Sequence, residues 1–259
     1  MRLAVLSDIH GNLVALETVL ADLEAQGGAD LTWCLGDLAA FGSRPAECVR
    51  RIKALTEANE GKTFQTIGGN TDRYLLTGER YSQTLPKDAD ELTAHALFLN
   101  YRDVMLNWNL AQLNWDDFEF LKKINRRELH HEVEGYGGVI GYHAVPGDDE
   151  PILNPDTPEE QALDYVLDRE ARLGIGGHTH LPMNRVLGRW QLINVGSVGF
   201  ATKQPGYAQY GIFTFEGDQV TVDLRSIPYD VEAVIADLDA AGHPVTAWYI
   251  SRIRPVTEA

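Results

Sequence analysis

The chain has 259 residues, 44% of them hydrophobic and 23% charged, which is enough apolar material for a full core and too much for a disordered chain. Acidic residues outnumber basic ones 38 to 22, a net charge of −16, which argues against a protein whose main task is gripping nucleic acid or an anionic membrane. A small phosphate ester held by cations is not excluded, because bound divalent ions would offset the acidity locally.

The first apolar run, residues 2–7, breaks at Ser7-Asp8, too early for the apolar core of a signal peptide. Nor does any later run approach the roughly 18 residues of a membrane helix, so a soluble, cytoplasmic protein is expected. That first run reads as a buried strand. Asn12 can cap the helix that follows, in which Leu13, Leu16, Val19, Leu20 and Leu23 recur at helical spacing until Gly27-Gly28. A strand over 31–35, a helix over 45–58 and a strand over 63–67 come next. Strand alternating with helix implies parallel pairing through right-handed crossovers, with ligands collecting at the carboxyl ends of the strands.

Residues 73–125 differ in character. Leu92, His95, Ala96, Leu99 and Val104 outline a helix, Trp108 and Trp115 read as core, and Asp116-Asp117 opens a short helix through Ile124. This helical insertion either caps a site or covers the sheet as a structural layer, and the pattern leaves both open. From Arg127 the pattern turns to strands, over 127–134 and 138–143, followed by a helix over 157–173 introduced by Pro155 and Pro158. Further strands are expected near 184–187, 190–195, 207–215 and 219–226, with a hairpin turn at Glu216-Gly217-Asp218, and a last helix over 230–240. No repeat or linker divides the chain, so residues 1–259 read as one domain. Cys34 and Cys48 lack metal-ligand spacing and read as buried thiols.

The informative residues stand where strands end. Asp8 and His10 are two apart, Gly36-Asp37 and Gly68-Gly69-Asn70-Thr71-Asp72 each follow an apolar run, and Gly177-His178-Thr179-His180 repeats the spacing of two. A dinuclear hydrolytic site needs hard oxygen ligands, imidazole nitrogens and a carboxylate able to bridge two ions. Asp37 is the natural bridge. Asn70 offers a neutral carbonyl oxygen while its amide can donate to a substrate, and His143 completes the second ion's shell. The flanking glycines suit tight turns and close backbone approach.

This set resembles the calcineurin-like metallophosphoesterase superfamily over nearly the whole chain. The later segment Asn194-Val195-Gly196-Ser197-Val198-Gly199 is similar to the Asn-Pro-Gly-Ser-Val-Gly element of small bacterial phosphodiesterase-like members. The resemblance implies an α/β fold, a four-layer α-β-β-α sandwich of mixed sheets with a helical insertion. It further implies two divalent ions (Mn, Fe, Ni, Co or Zn), one held by Asp8, His10, Asp37 and His180 and the other by Asp37, Asn70, His143 and His178. Two departures stand out. His143-Ala144 replaces the family's usual His-Gly, and Thr71 occupies the position where many active relatives carry a histidine that protonates the leaving group or contacts phosphate.

The implied chemistry is in-line attack on phosphorus by a hydroxide bridging the two ions, so no serine or cysteine nucleophile is needed. A threonine hydroxyl donates a hydrogen bond but is no general acid, so water or His10 would deliver the proton. Asn70, Asp72 and His10 are the candidate catalytic residues, Asp72 either orienting a ligand histidine or serving as an N-terminal helix charge. Asn70, Thr71 and Arg44 are the candidate substrate contacts, although a surface arginine is the stronger reading of both Arg44 and Arg73. His95, His130, His131 and His243 read as structural or solvated. The expected partner is a small phosphate ester, with a phosphodiester favoured; a homo-oligomer stays open. A non-catalytic scaffold on the same fold, a phosphomonoesterase or protein phosphatase, and a nuclease are the alternatives, the last disfavoured by charge.

Overall fold

The computed structural model describes residues 1–81, 84–125 and 128–254; Arg127, the expected first residue of a strand, lies outside them. Arg2–Leu6 (β1), Leu31–Cys34 (β2) and Phe64–Thr66 (β3) run parallel, and Leu13–Ala25 (α1) and Pro45–Glu57 (α2) make the crossovers. Asn12 accepts a hydrogen bond from the Ala15 amide at 3.0 Å, the expected cap, and Pro45 opens α2 where its missing N–H costs nothing.

Three helices separate the sheets in sequence: Asn70–Thr77 (α3), Ala89–Gln112 (α4) and Trp115–Ile124 (α5). The apolar stripe expected along α4 is not buried at its N-terminal end, where Leu92 is 56% exposed; the packed side chains are Met105, Leu106 and Asn109 of its later turns. Trp115 also departs from expectation. It is exposed, stacked on Phe118, because α5 turns Phe120, Leu121 and Ile124 inward instead. Trp108 is half-buried against His243.

The second half supplies Glu128–Val133 (β4), Gly137–Tyr142 (β5), Glu159–Asp164 (α6), Leu173–Gly176 (β6), Met183–Leu187 (β7) and Trp190–Asn194 (β8). Tyr207–Glu216 (β9), Gln219–Pro228 (β10), Val231–Ala241 (α7) and Thr246–Ile253 (α8) complete the described chain. The helix expected over 157–173 is far shorter. After Asp164 the backbone tightens to i→i+3 bonds at Val166, Leu167 and Arg169, and Arg172 already donates to Gly138 as the chain enters β6. No sequence pattern pointed to α8, whose stretch Thr246-Ala247-Trp248-Tyr249-Ile250 is rich in residues of modest helix propensity.

Two five-stranded sheets result, ordered β10-β9-β1-β2-β3 and β4-β5-β6-β8-β7; the first is parallel through β1, β2 and β3 and antiparallel through β9 and β10, the second parallel at its centre and antiparallel at both edges. Alternation along the strands builds the layers. Leu3, Val5 and Trp33 point between the sheets to meet Val139, Ile175 and Ile193, while Ala4, Leu6 and Cys34 point outward to Leu16, Val49 and Leu238 of the helices. On the far side Ile140, Tyr142 and Leu192 pack against Ala162 of α6 and Val166. The order helices, sheet, sheet, helix is the expected four-layer arrangement, and each fully buried aliphatic side chain adds roughly 1.5–3 kcal/mol. The parallel strands β1, β2 and β3 end beside β5 and β6, which puts every candidate ligand loop on one edge of the sandwich.

A charged cluster ties α1 to the first sheet. Asp22 accepts from Arg225 of β10 at 2.7 and 3.1 Å and from the Tyr210 hydroxyl at 2.6 Å. The Arg225 hydrogen bonds hold its carboxyl below the ordinary 3.8. A depressed folded value means that the stabilisation is present above the unfolded value and is lost as the pH falls. Asp22→Asn is expected to destabilise the protein by about 1–2 kcal/mol at pH 7. In denaturant melts the gap to the native protein should close below pH ~4; a gap that persists there would contradict the charge assignment. Among the described residues no helix is long and apolar enough to cross a membrane.

Candidate metal centre

Asp8, His10, Asp37, His178 and His180 share an unusual backbone: their φ angles are 59°, 52°, 56°, 66° and 55°. Left-handed conformations cost non-glycine residues of order 1–3 kcal/mol each and persist only where the surroundings impose them. Here the loops impose them on one another. Asp8 and His10 donate to the carbonyls of Gly36 and Asp37, and Gly177 donates to the carbonyl of His143. The Asn194–Gly199 segment clamps both sides: Ser197 Oγ and the Gly199 amide donate to Asp8 O, while Asn194 Nδ2 donates to Gly177 O and, at 3.0 Å, to Thr179 Oγ1.

The histidines are oriented by backbone carbonyls. Nδ1–H of His143 donates to Leu35 O and that of His180 to Phe200 O, each at 2.8 Å, and His10 Nδ1 makes the same kind of bond to Ala40 O. With Nδ1 committed as donor, each Nε2 presents a lone pair. His178 is the exception, with Nε2 on Glu150 O at 3.2 Å, leaving Nδ1 as its free nitrogen. His10 Nε2 and His180 Nε2 then stand 2.9 Å apart, with Asp8 Oδ1 at 3.8 and 3.2 Å from them. Two lone pairs at that distance repel unless a proton or a cation lies between them. Imidazole nitrogens bound at right angles to one ion at about 2.1 Å would be about 3 Å apart.

Asp8 Oδ1 is fully buried and has no hydrogen-bond partner. A carboxylate oxygen left that way costs several kcal/mol unless a cation meets it. Asp37 divides its two oxygens. Oδ1 accepts from the Thr71 amide at 2.9 Å, and Oδ2 lies 3.7 Å from His10 Nε2 and 3.5 Å from His143 Nε2, a position that spans both halves of the site. Asn70 Oδ1 is 3.0 Å from His143 Nε2. Asp8, His10 and His180 form one group able to hold an ion, and Asp8, Asp37 and His143 a second. Asp8 is therefore common to the two groups, a role the sequence reading gave to Asp37.

Titration behaviour follows from burial and neighbours. Burial pushes Asp37 above the ordinary carboxylate range and the Asp8 charge pushes it further. Burial also acts against Asp8, yet His180, His143 and His10 around it hold its carboxyl well below that range. Burial pulls His10 and His178 down to about 3, so both rings are neutral near pH 7. Asp37 and Asp8 keep His143 raised, and Asp8 keeps His180 raised, in both cases against the pull of burial. Oxygen and imidazole donors of this kind suit Mn, Fe, Ni, Co or Zn.

Other expected site residues are placed differently. Asp72 touches no histidine and takes the second of its two expected roles, the acidic residue in the first turn of α3. Its two oxygens accept from the amides of Leu38 and Gly69, both at 3.0 Å, which joins the Asp37 loop to the Asn70 loop, and burial with the Asp37 charge pushes its carboxyl up to about 7. Arg44 is not brought to the site: its guanidinium is held by Asp237 and Glu47 at the start of α2. Arg73 is likewise taken up by Asp149, Glu150 and Glu79. His10 has one nitrogen on a carbonyl and the other in the cluster, so it is not free to carry a proton to a leaving group. Thr71 lines a cavity above the cluster, with its buried hydroxyl unpartnered.

The calcineurin-like phosphoesterase superfamily domain matches residues 1–218, and the chain belongs to that superfamily. The uncharacterised protein MJ0912 of Methanocaldococcus jannaschii is 27% identical over 247 residues, spanning 89% of this chain and 88% of that protein. A symmetrical bis(5'-nucleosyl)-tetraphosphatase of Pectobacterium carotovorum is 32% identical over 111 residues, which is 42% of this chain and only 36% of that enzyme. Among solved structures, a metallophosphoesterase from Sphaerobacter thermophilus is similar with a TM-score of 0.72 over 98% of each chain at 24% identity. The hypothetical protein PH1004 from Pyrococcus horikoshii has a TM-score of 0.76 over 100% of this chain and 99% of its own at 17% identity. At those identities the structural likeness speaks for the fold alone.

Proposed function

We propose that the chain is a two-metal phosphoesterase that hydrolyses small phosphodiesters. The buried, unpartnered Asp8 Oδ1 facing the Nε2 atoms of His10 and His180 carries this reading, since that arrangement calls for a cation. Asp8, His10, Asp37 and His180 would hold one ion, and Asp37, Asn70, His143 and His178 the other. Bound there, the ions supply Lewis acidity that lowers the pKa of water and neutralises charge on phosphoryl oxygens. The similarity to a nucleosyl tetraphosphatase is compatible with such chemistry, although it spans a minor part of that enzyme.

The protein's own groups position the ester. Asn70 turns its carbonyl oxygen to His143 and its amide toward Tyr74, and the Thr71 hydroxyl offers a hydrogen bond to a phosphoryl oxygen. Hydrolysis forms a bond from water oxygen to phosphorus and breaks the ester P–O bond, giving a phosphomonoester and an alcohol. Among the described residues, the histidines lining the cavity all belong to the ligand cluster. The departing oxygen therefore takes its proton from water, and esters of acidic alcohols or phenols react fastest.

Protein stripped of metal and reloaded with Mn, Fe, Ni, Co or Zn in turn should hydrolyse bis-p-nitrophenyl phosphate with at least one ion, faster than it hydrolyses p-nitrophenyl phosphate. It should also retain about two ions per chain. No turnover of either ester with any of these ions would leave a binding scaffold as the better reading.

A further inference from the structure

The cavity above the metal cluster is much larger than one phosphoryl group requires. Its volume is about 560 Å³, with His10, Asp37, Asn70 and Thr71 at one end and side chains of α4 and α8 at the other. That size falls within the range of small-molecule sites. The far wall is aromatic and aliphatic: Phe41, Leu97, Phe98, Tyr101 and Trp248 face the space. Leu97 and Phe98 are 52% and 47% exposed, a cost in water that an apolar ligand would relieve. Trp248 is braced in its place, stacked on Phe200 at 5.9 Å, and Phe41 is stacked on His10 at 5.3 Å, so the wall is continuous with the cluster.

Two arginines also line this space, Arg102 and Arg252. Arg102 is already held by Asp103 Oδ1 at 3.0 Å and by Tyr81 O at 3.2 Å. Arg252 is exposed, lies 5.4 Å from the Trp248 ring and has no carboxylate partner among the described residues. This is a chain in which acidic residues outnumber basic ones 38 to 22. An arginine left to solvent beside an aromatic wall, at the mouth of a phosphoester site, is placed for a second anion.

We propose that this cavity is the specificity subsite and that the substrate is a nucleotide phosphodiester. Its aromatic base lies against the wall formed by Phe98, Tyr101 and Trp248, and a second phosphate meets Arg252. The helices of the 73–125 insertion thereby act on substrate choice through α4. This inference rests on the phosphoesterase reading above and adds the identity of the group beyond the scissile phosphate.

The test uses p-nitrophenyl esters that share one leaving group, so that differences report the other substituent. Metal-loaded protein is assayed with the p-nitrophenyl diesters of methyl phosphate, decyl phosphate, thymidine 5'-phosphate and thymidine 3',5'-bisphosphate. The thymidine ester should exceed the methyl ester in kcat/KM by roughly tenfold or more, the yield of about 1.4 kcal/mol of extra contact. The added 3'-phosphate should raise it again. Trp248→Ala should bring the thymidine-to-methyl ratio toward one, and Trp248→Phe, which keeps a ring, should retain most of it. Arg252→Ala should remove the increment due to the 3'-phosphate. Equal kcat/KM for the methyl and thymidine esters, or a decyl ester preferred to both, would overturn the proposal while leaving the phosphoesterase reading intact. Inactivity toward all four esters would instead reject that reading, and this inference with it.

Discussion

Asp37→Ala is expected to lower turnover by about 10³-fold or more, the upper range for losing one electrostatic group at a reacting centre. Asp37 Oδ2 lies between His10 and His143, so its loss removes a donor from both halves of the cluster. The metal-free fold should survive. The carboxyl is buried against Asp8, and burial together with that like charge already disfavours its ionised form. Deleting it relieves repulsion while forfeiting one hydrogen bond from the Thr71 amide. The melting temperature of metal-free protein should therefore move by only about 4 °C or less. Added Mn should raise the melting temperature of the native protein and not that of the variant, because binding to the folded state alone stabilises it. Activity retained within about tenfold, with a normal metal-induced shift, would contradict the bridging role.

Gly69→Ala is expected to be as damaging by a different route. A Cβ at this position would collide with the Asp37 carboxylate and backbone and come within 2.7 Å of His143 Cε1. None of these can yield cheaply, since Asp37 is fixed by the Thr71 amide and His143 by Leu35 O. Overpacking of this kind costs about 1–3 kcal/mol, and the displaced groups are candidate ligands. The variant should lose the greater part of its metal affinity and turnover and melt lower even without metal. A crystal structure of Gly69→Ala showing Asp37 and His143 unmoved would refute the steric argument.

Much of this architecture can be read from residue order because it depends on local chemistry. Alternating apolar residues in β1 and β2, the Asn12 cap and Pro45 at the head of α2 all act through neighbours in sequence. The motifs at the strand ends were legible for the same reason: parallel pairing carries Asp8, Asp37 and Asn70 to one edge whatever the details of packing. What escaped notice depends on distant contacts. Asp72 reads as either a histidine orienter or an N-terminal helix charge, and only its hydrogen bonds from the amides of Leu38 and Gly69 decide between them. Arg44 follows a ligand loop, yet Asp237 of α7 captures it. The helix expected over 157–173 has the right composition, but β6 claims its end.

The cavity wall shows the same limit most plainly. Trp248 and Arg252 stand four apart, one helical turn, on a helix whose composition gave little helical signal. Their proximity to the cluster depends on α8 packing beside α7 and against the core of the first sheet. The left-handed backbone at Asp8, His10, Asp37, His178 and His180 had no visible signature either, because aspartate and histidine adopt φ > 0 more readily than most residues but still rarely, and distant hydrogen bonds select where. A composition so acidic gave a further hint, since buried carboxylates in one place imply something positive among them.

Anomalous diffraction from crystals grown with Mn tests the central claim most directly. Two peaks about 3.5–4 Å apart are predicted, one against Asp8, His10 and His180, the other against Asn70, His143 and His178, with Asp37 touching both. A single peak, or peaks away from these side chains, would contradict the account.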